Sequence, residues 1–115
     1  MYHINYNNII NLKQHLSISK YKILYYSIML SFLSEFFGVV VFVYVILATG
    51  NPIAIGATLT AVIYAVRNIS GGHINPAVSV AFAMMGKLKT PKLIGYITAQ
   101  ILGAVLAVLI YKNLK

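Results

Sequence analysis

The run from Ile23 to Thr49 leaves this chain little choice of environment: 27 residues follow one another with a single charged side chain, Glu35, among them. As a helix the run reaches about 40 Å, enough to cross a hydrocarbon core of about 30 Å with tilt. It is too long for the core of a cleaved signal peptide. A second run, Pro52 to Val66, follows after only Gly50 and Asn51, and extended to about residue 69 it makes a second span. Asn51 caps that helix and Pro52 suits its first turn. A third run, Leu93 to Tyr111, has 19 residues, again long enough to span. Residues 1–22 are polar and asparagine-rich and read as a solvent-side tail.

Composition agrees with a membrane protein: 60% of residues are hydrophobic and 9% charged, far less charge than a soluble domain carries. Nine Lys and Arg stand against the one acid. These cations flank apolar runs instead of clustering among aromatic residues, which points to an anionic membrane face and away from nucleic acid. There is no cysteine, and His3, His15 and His73 are too scattered to suggest a metal site. No cofactor is expected.

The stretch from Ile69 to Met85, ISGGHINPAVSVAFAMM, breaks the apolar pattern. Asn75 to Met85 is 11 residues, about 16 Å of helix and roughly half a bilayer core. Charge placement tests whether this piece spans. If it enters and leaves by one face, Lys13, Lys20, Lys22, Arg67, Lys87, Lys89 and Lys92 share a side and only Lys112 and Lys115 lie opposite. Were it a full span, Lys87, Lys89 and Lys92 would fall opposite the N-terminal lysines. The bias favours a re-entrant segment, a cytoplasmic amino terminus and a carboxy terminus on the other side. The expected architecture is an all-α membrane protein with spans at about 23–49, 51–69 and 93–111, and a re-entrant loop and half-helix at about 70–86.

Non-helical backbone at membrane depth survives only where protein buries it or water reaches it. Gly71 and Gly72 permit a tight turn and leave carbonyls free to accept hydrogen bonds. Asn75 then caps the half-helix, with Pro76 at its first position. The positive end of the half-helix dipole, set near mid-bilayer, opposes cations while Asn75 offers a donor to a neutral solute.

The segment Ile69 to Ser79 resembles the first signature loop of the aquaporin, or major intrinsic protein, family. The run from Ser34 to Gly50 is similar to that family's first helix, and Gly95 to Ala107 to its third. The resemblance implies that Asn75, Pro76 and Ala77 form a pore motif at mid-membrane, and that Gly71, Gly72, His73 and Ile74 form a loop whose carbonyls line the solute path. It implies that Glu35 steadies the loop and that Gln100 satisfies inner backbone groups. His73 is then either a packing residue of the loop or a proton-sensitive gate. Ile55 falls where many water-selective members place an aromatic constriction residue. Val78 stands where the second signature loop would carry its filter arginine, so Arg67 is read as an anchor at the cytoplasmic end. Independently of family, Gly95, Ala99 and Gly103 recur every four positions and allow close helix contact.

Channels of this family contain two inverted repeats, and the chain carries one. Residues 23–115 are accordingly expected to act as half of a passive channel for water or small neutral solutes, with the bilayer and a second repeat as partners. Another copy of the chain, in a homo-oligomer, is the other source of a second repeat, although the lysine bias opposes insertion in both orientations. The alternative is a non-conducting fragment that associates with full-length relatives. An enzyme is not expected, because one buried acid and one loop histidine do not make a catalytic set.

Overall fold

The computed structural model describes residues 5–115; His3 and the first four residues of the tail lie outside the described residues. Four helices follow in order: α1 (Tyr6–Thr49), α2 (Pro52–Val66), α3 (Pro76–Met84) and α4 (Thr90–Asn113). The chain is an all-α integral membrane protein. Of these helices α1 and α4 are both long and apolar enough to cross a bilayer.

α1 is longer than its apolar run. Asn5 opens it, its side chain accepting the amide of Asn7 at 3.1 Å, and the helix then runs unbroken for 44 residues. That is about 66 Å, roughly twice the hydrocarbon thickness. The polar segment before Ile23 is therefore a helical extension of the first span. Gly50 ends α1 at φ 57°, its N–H bonding to the carbonyl of Ile46.

α2 has 15 residues, yet its register outlasts it. Amides of Arg67, Ser70 and Gly71 still bond to the carbonyls of Ile63, Val66 and Arg67. The helical path thus extends to Ser70, about 28 Å from Pro52. α3 spans nine residues, or about 14 Å, and stops where Gly86 takes φ 70°. α4 begins three residues earlier than the apolar run because Pro91 suits a first turn.

α1 packs on α2 and α4, and α3 packs on α4. Two glycines set the approach of α4. A Cβ on Gly103 would lie 2.5 Å from the carbonyl oxygen of Phe36, and one on Gly95 would enter the ring of Phe32. Ala99 lies between them, half-buried. The innermost residues are mostly polar: Ser31, Glu35, Ser70, His73, Ser79 and Gln100 are all buried. A polar interior of this kind holds together only if its groups bond to one another.

Candidate functional site

That requirement is met around Glu35 except at the side-chain oxygen of Gln100, which is buried without a partner among the described residues. The first helix brings the Glu35 carboxyl group, fully buried, against the loop that joins α2 to α3. Oε1 accepts the hydroxyl of Ser70 at 2.6 Å and the amide of His73 at 2.9 Å. Oε2 accepts the amide of Ile74 at 2.6 Å and the side-chain amide of Gln100 at 2.9 Å. One carboxyl group therefore gathers two loop amides, a loop hydroxyl and a side chain of α4. Ser70 is itself held twice more: its Oγ accepts the amide of Gly72 at 3.1 Å, and its carbonyl accepts the hydroxyl of Tyr96 at 2.5 Å.

The loop needs such holding because its backbone is unusual. Gly71 and Gly72 have φ 97° and 67°, and Ile74 has φ 54°. For a β-branched residue the left-handed region costs about 1–2 kcal/mol. Ile74 is kept there from two directions, its amide by Glu35 and its buried side chain by the gap at Gly38, where a Cβ would lie 2.5 Å from Ile74 Cδ1. Gly72 presses on α2 at Ile63.

Turning the amides inward leaves the carbonyls unused. Among the described residues, no donor meets the carbonyl oxygens of Gly71, Gly72, His73 or Ile74. Directly after them Asn75 caps α3, its Oδ1 accepting the amide of Ala77 at 2.8 Å. Its Nδ2 has no acceptor among the described residues, and Asn75 is exposed, as is Ala77. Pro76 occupies the first turn of α3. Four acceptors thus lead to one donor at the positive end of a short helix.

His73 is 6% exposed. Its Nδ1 lies 3.0 Å from Ser79 Oγ, and its ring packs on Phe82 and Tyr96 at 4.4 and 5.2 Å between centroids. Gln100 also donates to Ser79, at 2.9 Å. Ser70, Ser79 and Tyr96 are the members that reading the sequence missed. Tyr96 precedes Gln100 by four positions and Ser79 follows Asn75 by four, so helical spacing was the available signal.

Ile55 is not brought to the loop. The loop passes α2 at Ile63, about 12 Å along the helix from Ile55. Arg67 stacks on Tyr64, 4.4 Å from the ring centroid, and is exposed.

The family model for major intrinsic proteins matches residues 22–115. The chain is 42% identical over 55 residues to the lens fiber major intrinsic protein of Gallus gallus, covering 48% of this chain and 21% of that protein. It is 40% identical over 88 residues to the glycerol uptake facilitator protein-like 6 of Lactiplantibacillus plantarum, covering 69% and 41% respectively. To aquaporin Z of Brucella melitensis it is 48% identical over 58 residues, covering 50% and 25%. The match spans less than half the length of each of these curated relatives.

Proposed function

This chain belongs to the major intrinsic protein family, and on that premise we propose that it supplies one half of a passive channel for water or small neutral solutes, a second repeat supplying the other. The observation that carries this reading is the row of four carbonyls from Gly71 to Ile74, which meet no donor among the described residues and lead to the side-chain amide of Asn75, without an acceptor among them. A neutral solute moving along that row exchanges water hydrogen bonds for loop carbonyls, then meets a donor at Asn75. The amino terminus of α3 carries partial positive charge there, which disfavours a cation on the same path.

The residue roles follow from chemistry. Asn75 orients the solute, while Pro76 and Ala77 start the half-helix without bulk at its tip. Glu35 positions the loop from behind, taking the amides of His73 and Ile74 and leaving the carbonyls without protein donors, while Gln100 braces the Glu35 carboxyl group and Ser79. His73, packed against Ser79, Phe82 and Tyr96, acts as a wedge under the loop instead of a gate. Ile55, two turns along α2, forms an aliphatic side of the constriction. Gly95, Ala99 and Gly103 seat α4 on α1. The lysine bias places the amino terminus in the cytoplasm and the carboxy terminus across the membrane.

Osmotic shrinkage of proteoliposomes tests the reading. Vesicles holding this chain together with a complementary repeat, one bearing a second Asn-Pro-Ala and a following arginine, are expected to shrink faster than empty ones. Asn75→Leu should remove the increase. Flux that survives this variant overturns the pore assignment. A fast rate from the chain alone overturns the need for a second repeat.

A further inference from the structure

Away from the loop, a groove of about 680 Å³ opens between α1 and the turn that leads into α4. Its floor is apolar, formed by Leu24, Ile28 and Phe32 of α1, and its mouth carries Lys87, Lys89 and Lys92. A second groove, of about 370 Å³, lies along the α1–α4 seam. The two share Phe32, and the second is lined by Gly95, Thr98 and Ala99, with almost no polar surface. Two apolar grooves that share Phe32 therefore lie along the helix pair, the first of them at a group of three cations.

Among the described residues these cations meet no carboxylate. The one carboxylate side chain, Glu35, is buried and already accepts four hydrogen bonds. Two of the ammonium groups rest near aromatic faces, Lys92 at 5.3 Å from the Tyr96 ring centroid and Lys87 at 6.0 Å from that of Phe82. The first turn of α4 contains no acid, so Lys89 and Lys92 also meet the positive end of its dipole. Three like charges in such a position call for an external anion.

We infer that this groove binds one anionic phospholipid, its phosphate among Lys87, Lys89 and Lys92 and an acyl chain along the seam past Phe32 and Ala99. Charge complementarity selects the headgroup, and the apolar lining of both grooves selects a lipid over a free phosphate. A second copy of the chain fits the mouth poorly, because it would bring further lysines and no exposed acid. Basic pockets between helices at a membrane edge suit anionic headgroups in general. The site is separate from the solute path and does not depend on it.

Native mass spectrometry of the full chain in mild detergent is the test, with dioleoyl phosphatidylglycerol and dioleoyl phosphatidylcholine as probes. The parent chain is expected to retain the anionic lipid on the order of tenfold better. The variant carrying Lys87→Gln, Lys89→Gln and Lys92→Gln should lose about that factor. Removing the same charge from α1, with Lys13→Gln, Lys20→Gln and Lys22→Gln, should cost less than a third as much. Thr98→Phe fills the second groove at an exposed position, and should weaken both lipids several-fold while the preference between them stays. Equal loss in the two lysine variants overturns the site in favour of general surface charge. An unaffected Thr98→Phe overturns the acyl track, and dimers that appear as lipid is lost assign the groove to a second copy.

Discussion

The dipeptide Asn-Pro opens two helices in this chain, and the two openings have little else in common. Asn51 and Asn75 both sit in extended backbone, and each accepts an amide two residues on, at 2.9 and 2.8 Å. Pro52 and Pro76 both occupy the first turn. The approach differs. Before Asn51 the chain reverses through one left-handed glycine, Gly50, with nothing within 4 Å of where its Cβ would be. Before Asn75 come three left-handed residues, each amide from Gly72 to Ile74 bonded inward to Ser70 or Glu35. The first opening is a turn at the surface, and the second is a shaped strand of backbone held by a remote acid. Asn-Pro alone starts a helix; the loop before it, and Glu35 behind it, make a candidate pore element.

The most damaging way to break that difference is Glu35→Ala. It leaves two loop amides, the Ser70 hydroxyl and the Gln100 amide without their acceptor in a buried site. Each such loss costs roughly 1–3 kcal/mol, so the variant should fail to yield a monodisperse peak on size exclusion in detergent. Recovery of a peak matching the parent would show that the loop holds its shape without the carboxylate. Next in size is Gly38→Val. A Cβ there already meets Ile74 at 2.5 Å and Val62 at 2.9 Å, and overpacking costs about 1–3 kcal/mol. The expected result is a lower midpoint of thermal unfolding, and a faster cut of the 70–75 loop by protease. Gly50→Ala meets open space and bears only its backbone strain, about 1–2 kcal/mol, so its midpoint should fall less and its loop digestion should not change.

Much of this arrangement is legible before any coordinates. Run lengths and the lysine bias carry the all-α membrane fold, since bilayer thickness and interfacial charge constrain a sequence directly. Asn75 and Pro76 mark the start of α3 because capping is a local property of two adjacent residues. Glu35 stands out as the single acid in an apolar helix. The resemblance implies that it steadies the loop, but which groups it binds is not legible, because Ser70, His73, Ile74 and Gln100 lie between 35 and 65 positions away. Their convergence depends on how closely α4 approaches α1. The continuity of α1 through the polar segment is missed for another reason. Asparagine-rich sequence is a weak helix former, and the apolar span that follows provides the nucleus from which the helix extends. Left-handed Ile74 is missed as well, since no residue preference predicts it.

The smallest effect on stability gives the sharpest separation of the two openings. Asn51→Ala and Asn75→Ala each delete one side-chain cap, worth about 1 kcal/mol, and each keeps its proline. Thermal midpoints of the two variants should therefore fall by similar, small amounts. Water flux in vesicles that also hold a complementary repeat should divide them. Asn51 lies at an exposed turn whose amides can turn to solvent, so its loss should leave flux near the parent value. Asn75 is the proposed donor at the end of the carbonyl row, and its loss should reduce flux severalfold at equal protein content. Equal flux from the two variants would reduce Asn75 to an ordinary helix cap. The pore reading would then have to rest on the carbonyls of Gly71 to Ile74 alone.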